Sequence, residues 1–92
     1  MNGIKALEKK ILKRGTKLAP SFFHPKSEDN DWKGKVWYVT TLITHYNGPT
    51  EVYVTENDPF QRDIRDHDMI LTTKIEKKYQ DRINYLRYFK IV

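Results

Sequence analysis

Along the chain the spacing of apolar residues changes several times, and each change predicts an element. In residues 2–14, Ile4, Leu7 and Ile11 recur at intervals of three and four, which places them on one stripe of an α-helix. Asn2 is a suitable N-cap and Gly15 stands where a helix commonly stops, so residues 1–18 are expected to hold a helix. At residues 35–56, KVWYVTTLITHYNGPTEVYVTE, the period falls to two on either side of Asn47-Gly48. Alternating β-branched and aromatic residues around such a pair predict a β-hairpin. With Asn47 and Gly48 at the two central turn positions, Tyr46 faces Pro49, Ile43 faces Val52, and Thr41 faces Val54. The core face is then Trp37, Val39, Thr41, Ile43, Val52 and Val54, while Tyr38, Thr40, Leu42, Thr44, Glu51, Tyr53 and Thr55 share the other face.

Residues 57–73 read as a turn at Asn57-Asp58-Pro59 and a short third strand from Met69, with Met69, Leu71 and Thr73 on one side. The C-terminal pattern fits two templates. Thr73-Lys74-Ile75-Glu76 is a capping box, and Ile75, Tyr79, Ile83, Leu86 and Phe89 follow at helical spacing, predicting an amphipathic helix over residues 74–90. Ile83, Tyr85, Phe89 and Ile91 also alternate, as in a strand over residues 83–92. That strand would carry Arg87 on its apolar face, so the helix is the expectation. Residues 19–34, with Pro20, Pro25 and Gly34, read as a long loop anchored by Phe22, Phe23 and Trp32. Phe22 and Phe23 are expected to complete a thin core, and the competing reading makes them a knob for a partner. Together these elements predict one small α+β domain over residues 1–92: a basic N-terminal helix, a long antiparallel hairpin extended by a third strand if residues 69–73 pair, and a C-terminal amphipathic helix packed on the same face.

Composition narrows the class. Apolar residues make up 38% and charged residues 32% of the chain, a balance typical of folded rather than disordered proteins. No apolar run approaches the length of a membrane span or a secretory signal. The absence of cysteine removes disulfides, thiolate catalysis and cysteine-bound zinc. A cytoplasmic protein without a membrane partner is expected.

Charge adds the most. Residues 1–18 hold Lys5, Lys9, Lys10, Lys13, Arg14 and Lys17 against Glu8 alone, and residues 74–92 hold six basic side chains against Glu76 and Asp81. The middle of the chain is acidic, with five basic and nine acidic residues between positions 19 and 73. Segregated charge of this kind creates a field that attracts phosphate backbones or acidic protein surfaces. Tyr79, Tyr85, Tyr88 and Phe89 are interleaved with the C-terminal cations, the mixture used for stacking and backbone neutralisation on single-stranded nucleic acid.

Catalytic chemistry finds little support. His24, His45 and His67 belong to no triad or paired zinc motif. The cluster Asp63, Asp66, His67 and Asp68 lacks the glycine and ligand spacing of a calcium loop. Asp68 with Glu76-x-Lys78 matches the loose pattern of metal-dependent nucleases, but needs a strand where the capping box predicts a helix start. The expectation is therefore a non-enzymatic binding module with no cofactor and no metal. It would contact nucleic acid, or a complex containing it, through Lys9, Lys10, Lys13, Arg14, Lys17, Lys77, Lys78 and Arg82. The alternative is an assembly subunit of a viral or other particle, a homo-oligomer, or an inhibitor of a larger enzyme. That protein would dock through Phe22, Phe23, Trp32, Tyr38 and Tyr53 and through open strand edges of the hairpin.

Overall fold

The computed structural model describes residues 1–61, 67–74 and 84–92, which form a five-stranded antiparallel sheet with one short helix. Helix α1 spans Gly3–Glu8, and the strands are β1 (Lys17–Pro20), β2 (Trp37–Thr44), β3 (Thr50–Thr55), β4 (Met69–Thr72) and β5 (Phe89–Ile91). Two 3-10 turns, Pro59–Gln61 and Leu86–Tyr88, lie between strands. The strand order is β4-β3-β2-β1-β5. One sheet face carries Leu18, Trp37, Val39, Val52, Val54, Leu71 and Phe89, and Ala6, Leu12 and Leu86 close over it to form the core.

The hairpin forms, but in another register. Thr44 pairs with Thr50, Ile43 with Glu51 and Leu42 with Val52, and then the register slips by one residue between Val39 and Thr41. The slip is a β-bulge, and it reverses the alternation beyond it. Trp37 and Val39 face the core as expected, whereas Thr41 and Ile43 move to the outer face and Leu42 turns inward. Thr40, the extra residue, is buried, and its hydroxyl donates to the Tyr53 carbonyl at 3.0 Å. Its side chain thus supplies a donor within the disrupted ladder. At the tip Asn47 takes the positive φ of 57° and Gly48 does not, so the connection is a five-residue loop rather than a two-residue turn. β4 pairs along β3 from Glu51 to Val54, whereas β1 pairs with β2 only at Trp37 and Tyr38, so the hairpin is covered on one edge and at the start of the other.

The N-terminal helix is shorter than the stripe predicts. Asn2 caps it, its Oδ1 accepting from the Lys5 N–H at 2.9 Å. Its C-terminus comes at Lys9, because Lys10 adopts a left-handed φ of 58°. The N–H of Lys10 donates to Leu7 and that of Ile11 to Ala6, which is the Schellman pattern of a helix C-terminus. A continuing helix would carry the chain away from the sheet, whereas the reversal lets Leu12 and then Leu18 enter the core. Gly3 faces Leu86, and a Cβ at Gly3 would stand 2.6 Å from the Leu86 Cδ1 and 2.7 Å from its carbonyl oxygen.

The expected C-terminal helix is the main correction. Its residues 75–83 lie outside the described part, but from residue 84 the chain is not α-helical: Leu86–Tyr88 form a 3-10 turn and Phe89–Ile91 form β5. Here a long-range pairing overrides a local period. β5 runs antiparallel to β1, with Leu18 opposite Ile91 and Pro20 opposite Phe89. The objection to a strand, that Arg87 would be buried, is removed by the 3-10 turn, which leaves Arg87 exposed while Leu86 and Phe89 are fully buried. The fold is thus a five-stranded antiparallel sheet with a minor helical part.

Candidate nucleic-acid interface

Residues 21–36 lead from β1 to β2 as a series of hydrogen-bonded turns. The N–H groups of His24, Ser27, Asp29, Trp32 and Lys35 each donate to a carbonyl three residues earlier. Two side chains pin the segment to the body. His24 is buried, stacks on Trp32 with ring centroids 4.8 Å apart, and meets Phe89 edge-on at 5.1 Å. Trp32 in turn packs on Trp37 at 5.1 Å. His24 Nδ1 accepts from the Lys26 N–H at 3.0 Å, so this nitrogen is the unprotonated one.

With His24 and Trp32 filling the core position, Phe22 and Phe23 are forced outward. They are 82% and 78% exposed, which overturns the expectation that both complete the core. Burying a Phe side chain is worth about 1.5–3 kcal/mol, and the fold forgoes most of that gain twice in adjacent residues. The two rings meet edge-to-face at 5.8 Å and form a ridge. Phe22 borders one cleft of about 470 Å³ whose walls include Lys33, Lys35 and Lys90. Phe23 borders a second of about 620 Å³ with Tyr85, Arg87, Tyr88 and Lys90. Among the described residues Glu28 is the one acidic side chain lining either cleft.

The expected binding residues divide by position. Lys9 and Lys10 are exposed at the end of α1, and Lys13 is exposed in a turn closed by the Thr16 hydroxyl. Lys17 lies on the outer sheet face, its ammonium 5.7 Å from the Tyr38 ring centroid. Arg14 is engaged within the protein: its guanidinium donates to the Pro59 carbonyl at 2.6 Å and stands 5.3 Å from the Phe60 ring centroid. Lys77, Lys78 and Arg82 lie outside the described residues, as do Asp63, Asp66 and Glu76 of the metal patterns. Asp68 is held as a structural acceptor, with Thr55 Oγ1 at 2.9 Å and the Glu56 N–H at 2.7 Å. Among the described residues no group of three or more acidic or histidine side chains is placed to hold a metal ion, and no helix is long and apolar enough to cross a membrane. Tyr38 and Tyr53 are half-buried on the outer face, Tyr53 against the His67 ring at 4.6 Å, whereas Trp32 is part of the aromatic core cluster.

The sheet joins what the sequence separates. β1 and β5 pair, Asn2 bridges Lys90, and the Val92 N–H donates to the Lys17 carbonyl, so residues 17–20 neighbour residues 89–92. Lys17 and Lys90 share the outer face, since Lys90 pairs with Ala19. Lys9, Lys10, Lys13, Lys17, Lys33, Arg87 and Lys90 have no carboxylate at ion-pair distance among the described residues, while Lys35 pairs with Glu56 at 2.9 Å. Arg87, Lys90 and Lys33 were absent from the expected binding set. The sequence signal for the first two is the run Tyr85-Leu86-Arg87-Tyr88-Phe89-Lys90, which a helical reading spreads around an axis. Comparison with protein-family models, curated proteins and solved structures returns no match.

Proposed function

We propose that this domain is a non-enzymatic module that binds nucleic acid, or a complex containing it, through cations contributed by both termini. The observation that supports this is the pairing of β1 with β5, which puts Lys17 and Lys90 on one outer face and joins the segments that follow the N-terminal lysines and precede the C-terminus. Adjacent cations add their fields, whereas the same charges scattered among acids would be screened within a Debye length. In this reading Lys9, Lys10, Lys13 and Lys17 bind phosphates. Arg14 has a structural role, fixing the first 3-10 turn. The proposed compartment is the cytoplasm, whose reducing conditions suit a chain without cysteine.

Mobility shift with single- and double-stranded DNA and RNA at two salt concentrations tests the reading. Binding should weaken steeply with salt because displaced counterions drive it, and Lys9→Gln with Lys13→Gln should lower the slope of log K against log salt by about 0.7–0.9 for each phosphate no longer neutralised. Absence of any shift at low salt would remove this function. The competing reading, a subunit of a larger assembly or an enzyme inhibitor, draws on the exposed Phe22 and Phe23.

A further inference from the structure

We infer that the cleft between Phe23 and the pair Tyr85 and Tyr88 is a seat for an unpaired nucleotide, which makes single-stranded nucleic acid the ligand of the module. This rests on the reading above and narrows it. Three aromatic side chains line it: Phe23 from the long loop, and Tyr85 and Tyr88, which meet edge-to-face at 5.2 Å, from the N-cap and last residue of the second 3-10 turn. Arg87 and Lys90 also line it, and among the described residues no Asp or Glu does. Its volume of about 620 Å³ falls within the range of sites that hold small organic ligands.

Three features single out an unpaired base. A ring that is 78% exposed offers its face to a stacking partner, and in a duplex both faces of a base are already covered by its neighbours. Stacking on aromatic side chains with cations along the backbone is how proteins hold single strands without reading sequence. The segments that bear these aromatics are also fixed to one another. The Ser21 N–H donates to the Tyr88 carbonyl at 2.7 Å, and His24 meets the Tyr88 ring edge-on at 6.0 Å. The loop end that bears Phe23 is thereby tied to the turn that bears the tyrosines, so little ordering remains when a base enters.

Fluorescence anisotropy with labelled oligo-thymidine DNA, oligo-uridine RNA and a DNA duplex, the single strands about ten nucleotides long to match a typical single-strand site, tests the inference. The wild-type protein should prefer single strands, and the DNA and RNA arms show which sugar is accepted. Phe23→Ala should weaken single-strand binding roughly 10- to 100-fold and leave duplex binding unchanged. Phe23 is exposed, so the variant should melt at the wild-type temperature. Arg87→Gln should lower the single-strand salt slope by about 0.7. Single-strand affinity unchanged in Phe23→Ala would overturn the nucleotide seat while leaving salt-dependent duplex binding, and with it the broader function, intact. Wild-type protein that binds none of the three probes would overturn both. If that protein also self-associates and Phe23→Ala abolishes the association, the ridge is a protein contact and the inference fails.

Discussion

The two margins of the sheet are held by different forces. At the β4 margin Leu71, fully buried opposite Val52, is joined by a set of polar contacts between segments 12–14 residues apart: Thr55 and Glu56 donate to Asp68, the Asp68 N–H donates to the Val54 carbonyl, and the Asn84 amide donates to the Ile70 carbonyl. At the β5 margin they are apolar and aromatic, and they join opposite ends of the chain. Leu18 lies opposite Ile91, and Phe89 meets Trp37 and His24 edge-on. Hydrogen bonds contribute net amounts of about 0.5–1.5 kcal/mol each, whereas full burial of a large apolar side chain gives about 1.5–3 kcal/mol. The β5 margin therefore depends on a few large side chains, whereas the β4 margin adds several small polar terms to the burial of Leu71.

Phe89→Ala is the sharpest way to break this comparison. The side chain is fully buried, and its removal should cost about 3–5 kcal/mol, a large share of the stability of so small a domain. Thermal unfolding followed by circular dichroism and by tryptophan fluorescence should shift together, since Trp37 and Trp32 belong to the same cluster. Separate transitions for the two probes would mean that the margins melt independently.

A smaller effect is expected in the hairpin. Thr40→Val keeps the shape but removes the donor to the Tyr53 carbonyl, leaving a part-buried acceptor short of a partner at a cost of about 1–3 kcal/mol. The urea midpoint should fall, and an unchanged midpoint would mean that water replaces the hydroxyl at the bulge.

The smallest effect is a gain. Lys10→Gly relieves a left-handed conformation that costs a side-chain-bearing residue about 1–2 kcal/mol, and the extra freedom of Gly in the unfolded chain offsets about 0.4–1 kcal/mol of that. A net stabilisation of about 0.5–1 kcal/mol should appear as a higher urea midpoint. A lower one would show that the Lys10 side chain supports the end of α1.

These margins also explain which parts of the fold could be read from the chain. The hairpin, its third strand at β4 and the N-cap at Asn2 are encoded by neighbours in sequence and were legible. The bulge was not: alternation around Thr40 is equally good with or without an extra residue, and the slip exchanges Ile43 for Leu42. β1 is a four-residue strand ending in Pro20, too short and too weak in β-formers to register by itself. β5 carries a helical period through Leu86 and Phe89 because a 3-10 turn also brings residues three apart onto one side. For the candidate site, the separate ingredients were visible as Phe22-Phe23 and as the Tyr85 to Lys90 run. Their meeting was not visible, because it depends on β1 lying beside β5.

The hydrogen bond from the Ile91 N–H to the Met1 carbonyl, at 3.1 Å, and the bridge between Asn2 and Lys90 bring the first and last residues to one place. A unit whose ends emerge side by side can be spliced into a surface loop of a host protein without prising the host apart. Met1, Asn2 and Lys90 also line the Phe23 cleft, so a tether fused ahead of Met1 would begin beside it, and a short flexible one would hold its cargo there at high effective concentration.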